Sequence, residues 1–132
     1  MLKPGSGYYL LMPDTNSFFT PLEHAVLNAI YEMHLADRPA LEAQLLTATV
    51  RSRENTGAGF FTRFDVDRAS SSAIKGERLR NGPEATMDGL QHGMGFILWL
   101  KEGYAECLEG YANAGSTVGI DLERTSFEIM PY

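Results

Sequence analysis

The sequence predicts an α+β domain: two N-terminal helices packed on a curved, mostly antiparallel sheet of about five or six strands. Three observations carry this. Residues 20–36 repeat their apolar positions with a helical period, and residues 59–66 alternate with period two, as a strand with one buried face does. Residues 94–111 hold two apolar runs split by Glu102-Gly103, the pattern of a two-residue hairpin.

The first helix has the clearest signal. Thr20 is its N-cap, Pro21 its first residue and Glu23 the third after the cap, so cap and glutamate satisfy each other's backbone donors. Leu22, Ala25, Val26, Ala29, Ile30 and Met33 then form one stripe that buries against something. Pro39 disfavours helical geometry at Arg38, so the helix is expected to end near Ala36. A second helix follows from Pro39 to about Leu46, started by Asp37 and carrying Leu41 and Leu45.

From Thr47 the period changes to two. In TVRSREN the alternation puts Arg51 and Arg53 on one side, Val50 and Ser52 on the other. Asn55-Thr56-Gly57 turns the chain, and GFFTRFDV returns with Phe60, Thr62, Phe64 and Val66 on one face and Phe61, Arg63 and Asp65 on the other. Residues 67–83 are the least patterned: a mobile functional loop, or a stretch hiding a short element around Ala73 to Leu79. Residues 85–90 and 126–130 are the remaining strand candidates. Residues 1–19 read as an irregular arm with a short strand at Tyr8–Met12 and turns at Pro13–Ser17, leaving 20–132 as one α+β domain.

At 132 residues and 44% hydrophobic content the chain has material for one core without staples. A single cysteine needs no oxidising compartment. No apolar run approaches a membrane span, and the N-terminus has no secretory pattern, so a cytoplasmic protein is expected. The net charge of −6 argues against nucleic acid or an anionic membrane as partner. Residues 51–80 reverse that balance with seven basic and four acidic residues, which leaves +3 there and −9 elsewhere. Such a segment docks an acidic partner, a small anion or the protein's own acidic remainder.

Two phrases, TGAGFFTRFDV and HGMGFILWLKEGYAECLEGYA, resemble small bacterial proteins of uncharacterised function, in which a Gly-x-Gly-Phe-Phe-Thr strand precedes a Gly-Phe-x-Leu hairpin ending in Leu-Glu-Gly-Tyr. The likeness spans about residues 40–112. It implies a shared α+β domain in a bacterial protein and brings no activity or catalytic residue with it. The helix–helix–strand order is also loosely similar to the cone-shaped NTF2/cystatin class, from which the chain departs in having no third helix before the late hairpin.

The hairpin decides which residues are candidates for chemistry. A regular register about Glu102-Gly103 sets Leu98 opposite Cys107 and Phe96 opposite Glu109, which puts Cys107, Glu109 and Tyr111 on one face with Met94, Phe96 and Leu98. Cys107 then packs as a small apolar residue, since burial and nearby carboxylates oppose a thiolate and no histidine is placed to activate it. Glu109 on that face needs a partner, either in a structural network or strand end, or as a pocket carboxylate. Arg51, Arg53 or Arg63 are the candidate counter-charges and Tyr111 a candidate hydrogen-bonding neighbour. These five residues form the expected ligand-binding set.

Other constellations are weaker. His24 and His34 sit about 15 Å apart along their helix and cannot share a metal, and the scattered histidines and lone cysteine give no zinc pattern. Asp65 and Asp67 read as a solvated charge pair, and the glycines near residue 57 lack the spacing of a phosphate loop. No metal and no cofactor are expected.

The functional expectation is a non-catalytic domain that binds a small ligand or another protein, regulatory or immunity-type, as a homodimer; a small anion is the expected ligand class. The alternative is a small enzyme using Glu109, or the Asp65/Asp67 pair, as acid–base with the arginines as an anion clamp.

Overall fold

The computed structural model describes residues 18–132; the predicted strand at Tyr8–Met12 and the turns at Pro13–Ser17 lie outside the described residues. Two helices, α1 (Pro21–Met33) and α2 (Arg38–Leu46), precede six strands: β1 (Thr49–Asn55), β2 (Gly59–Asp65), β3 (Leu79–Met87), β4 (Leu90–Lys101), β5 (Tyr104–Ala112) and β6 (Phe127–Ile129). The strands make one open, wholly antiparallel sheet in the order β1-β2-β5-β4-β3-β6. No helix among the described residues is long and apolar enough to cross a membrane.

The α1 capping box is present as the sequence requires, with Thr20 and Glu23 each bonded to the other's backbone N–H. Its stripe buries Leu22, Val26, Ala29 and Ile30, joined by Leu27, against the inner face of the sheet. The helix stops at Met33, earlier than expected, and Arg38 is itself helical at the start of α2. Pro39 thus falls inside the first turn, where its missing N–H costs nothing. Asp37 starts α2 as its N-cap residue, but its side chain makes no capping bond; the carboxylate takes a 2.6 Å bond from Arg80 Nε instead.

The inner face of the sheet contributes Phe60, Phe64, Ala85, Met94, Phe96, Leu98 and Leu108 to one core with the helices. The loop after β2 holds only a 3-10 turn at Arg68–Ser70, and β3 begins at Leu79 rather than 85. Asn81-Gly82-Pro83 interrupts β3 as a bulge instead of ending it, a position where proline's missing donor is tolerated.

Two further bulges reorganise the faces, because one extra residue in a strand of period two sends all that follows to the other side. In β1 the register shifts between Val50 and Ser52, so Arg53 shares the inner face with Val50 while Ser52 pairs with Arg63 on the outer one. In β5 the shift between Trp99 and Leu100 leaves Glu106 without an opposite number. Trp99 therefore faces Cys107, Leu98 faces Leu108 and Ile97 faces Glu109. The regular register expected from the sequence holds only for Lys101–Tyr104 and Leu100–Ala105; beyond them Cys107, Glu109 and Tyr111 turn to the outer face. The Glu102-Gly103 turn itself is as expected, with positive φ at both residues (56° and 86°), which a type I′ hairpin turn demands.

Candidate functional site

The expected set of five residues is split between the two faces of the sheet. Arg53 lies inside, beneath α1. Glu109, Tyr111 and Arg63 lie outside, and exposed Arg51 sits in the β1 bulge with Asp65 at 3.8 Å.

Inside, Arg53 meets a residue that sequence reasoning assigned only to a helix cap. Glu23 Oε2 accepts from Arg53 Nε (3.0 Å) and from the Thr62 hydroxyl (2.6 Å), while Oε1 accepts from Arg53 Nη2 (2.9 Å) and the Thr20 backbone N–H (2.8 Å). Burial pushes the Glu23 carboxyl up, and the hydrogen bonds from Arg53, Thr62 and Thr20, with the guanidinium charge, more than reverse this, so it titrates below its ordinary value. The pair borders a cavity of about 260 Å³ between the first turn of α1, the β1–β2 hairpin and residues 120–123. Leu22, Phe60, Ile120 and Leu122 supply its apolar wall. Much of its polar lining is committed to the fold: Glu23, Arg53 and Thr62 to each other, and Asn55 to the buried Thr117 through two bonds of 2.9 and 2.6 Å.

Outside, the cross-strand pairs define three rows. The row nearest the Glu102-Gly103 turn reads Arg63, Cys107, Trp99, Leu79; the middle row reads Phe61, Glu109, Ile97, Asn81; the far row reads Gly59, Tyr111, Gly95, Glu84. Phe61, Ile97, Trp99 and Leu79 are only half-buried here, and neither described helix packs on this face. Trp99 Nε1 donates to Glu109 Oε1 at 2.9 Å, so the carboxylate's partner is the indole beside it and not an arginine. Guanidinium groups lie over the rings: Arg63 is 5.0 Å from the Phe61 centroid and Arg78 5.9 Å from that of Trp99. The Tyr111 ring lies across Gly95, where a Cβ would come within 2.4 Å of it, and shares that hollow with Glu84. Its phenol is raised by burial and by the charges of Glu84 and Glu109. A shallow groove of about 500 Å³ runs along the Arg63–Trp99 end.

Cys107 forms part of the groove floor, with its side chain turned from the main core but still buried. Burial pushes its thiol up to about 11; Arg63 opposes this, and Glu109 and Glu106 add to it. Only about one thiol in ten thousand is ionised at pH 7. Alkylation by iodoacetamide is therefore expected to be far slower than that of a small free thiol at pH 7 and to accelerate up to about pH 11. Fast labelling of the folded protein at pH 7 would restore the nucleophile reading.

Among the described residues no group of three or more His, Cys, Asp or Glu is arranged to hold a metal ion. Compared with known protein families, curated proteins and solved structures, the chain matches none.

Proposed function

We propose that the chain is a non-catalytic protein-interaction domain whose working surface is the outer face of its sheet, and that this face makes it a homodimer. The observation that carries the reading is the row structure itself, which no helix among the described residues covers. Phe61, Ile97, Trp99 and Leu79 lie half-buried on a broad face, flanked by arginines and carboxylates, the composition of a docking surface with an apolar centre and a polar rim. The geometry lends the enzymatic alternative less support. Glu109 is bonded to Trp99, Arg53 lies under α1 on the opposite face, and Arg51 and Arg63 are near Asp65 and Glu54, so Glu109 and these arginines do not converge on one cavity.

Sedimentation velocity tests this. The wild-type chain is expected to reach a dimer as concentration rises, and Ile97→Lys, which sets a charge in the middle row, is expected to be folded and monomeric. A wild-type chain that stays monomeric to several hundred micromolar would overturn the reading.

A further inference from the structure

Resting on the outer face as the working surface, we infer the orientation of its occupant: a second copy stacked with its two-fold axis lying between the sheets and running across the strands, along the Phe61–Glu109–Ile97–Asn81 row. Two sheets stacked face to face by a two-fold have two simple choices of axis, along the strands or across them. The charges on this face separate the two.

Arg63 and Arg78 stand at the end of the face nearest the Glu102-Gly103 turn, and Glu84 stands at the other end beside the Tyr111 ring. An axis along the strands keeps each end on itself and exchanges β2 with β3. It would lay Arg63 of one copy against Arg78 of the other, a like-charge contact that disfavours that arrangement. An axis across the strands exchanges the ends and lays each strand on its own image. Arg78, immediately before β3, then meets Glu84 on β3 of the second copy, and Trp99 meets the Tyr111 ring that covers Gly95. Neither Arg78 nor Glu84 forms an ion pair among the described residues, so each has a charge available to the other copy. Glu109 lies on the middle row and approaches its own image, held by the Trp99 indole N–H. Its negative charge is an unfavourable element of this arrangement.

The test is a charge exchange read by sedimentation equilibrium. Arg78→Glu alone and Glu84→Arg alone are each expected to weaken the dimer at least tenfold, and an equimolar mixture of the two to recover it as a heterodimer. Glu109→Gln keeps an acceptor for the indole and removes the repulsion, so it is expected to tighten the dimer. Glu84 also accepts a 2.6 Å bond from Asn113, so if Glu84→Arg lowers the melting temperature, Glu84→Gln replaces it and must still weaken association. A wild-type dimer that is indifferent to these charges, or a mixture that stays monomeric, overturns the orientation while leaving the face in place. A monomeric wild-type chain overturns both.

Discussion

Replacing Glu23 with alanine is expected to cost about 3–5 kcal/mol of stability, because it removes one partner of a buried ion pair and strands the other. The Glu23 side chain is 4% exposed and that of Arg53 19%. The loss reaches three elements at once: the Thr20 backbone N–H at the start of α1 loses its acceptor, the Thr62 hydroxyl on β2 loses its acceptor, and Arg53 on β1 loses both bonds to its counter-ion. Chemical denaturation at neutral pH measures this directly. A cost below about 1 kcal/mol, the range of an exposed pair, would show that solvent reaches Arg53 freely.

The same site sets an acid limit. Because the folded carboxyl titrates below its ordinary value of 4.5, the unfolded chain binds that proton more readily. The contribution is complete above about pH 4.5 and disappears as pH falls through the lower, folded value. Wild type is therefore expected to lose stability through this acid window, and Glu23→Ala to show a shallower decline there. Parallel acid limbs in the two proteins would detach the pair from acid stability.

The features legible in the sequence were those set by local periodicity. The α1 stripe, the Phe60–Val66 alternation and the Glu102-Gly103 turn each depend on a repeat or a dipeptide with its own backbone requirement, and from them follow the element order and the α+β class. The faces of β1 and β5 were not legible in the same way. A bulge adds one residue without a distinctive dipeptide, and at Arg51 and Glu106 it inverted the assignment of Arg53, Cys107, Glu109 and Tyr111. Charged residues there leave both registers open, and only the completed sheet selects one: the observed register lets Leu108 fill the core where Cys107 and Glu109 would otherwise sit.

Glu23 and Gln44 escaped for a related reason. Glu23 fits a capping box whether or not it is buried, so the motif hid its second role. The available signal was spacing: Leu27 and Ile30 follow at i+4 and i+7, which places Glu23 on the side of α1 that packs. Gln44 lies between Leu41 and Leu45 on the apolar side of α2 and could have been read the same way.

Gln44→Leu is expected to cost about 2–5 kcal/mol, although it keeps the volume and raises the hydrophobicity of a site that is 0% exposed. The amide is fully used: Nε2 donates to Ser72 O (2.8 Å) and Gly103 O (3.0 Å), and Oε1 accepts from Ala105 N–H (2.8 Å). Gly103 O keeps the bond it also receives from Ile74 N–H, but Ala105 N–H loses its acceptor in a buried setting and Ser72 O loses its donor in a partly buried one. Leucine leaves no cavity, so the cost isolates hydrogen bonding from packing. The effect is also local in a way hydrogen exchange can read. Gln44 joins α2 to the turn of the β4–β5 hairpin and to the segment that carries buried Ile74, so Ala105 and Ile74 amides are expected to lose protection before the β4–β5 centre does. A neutral or stabilising Gln44→Leu, with Ala105 still protected, would mean that water or a backbone shift satisfies both groups and that α2 is held by Leu41 and Leu45 alone.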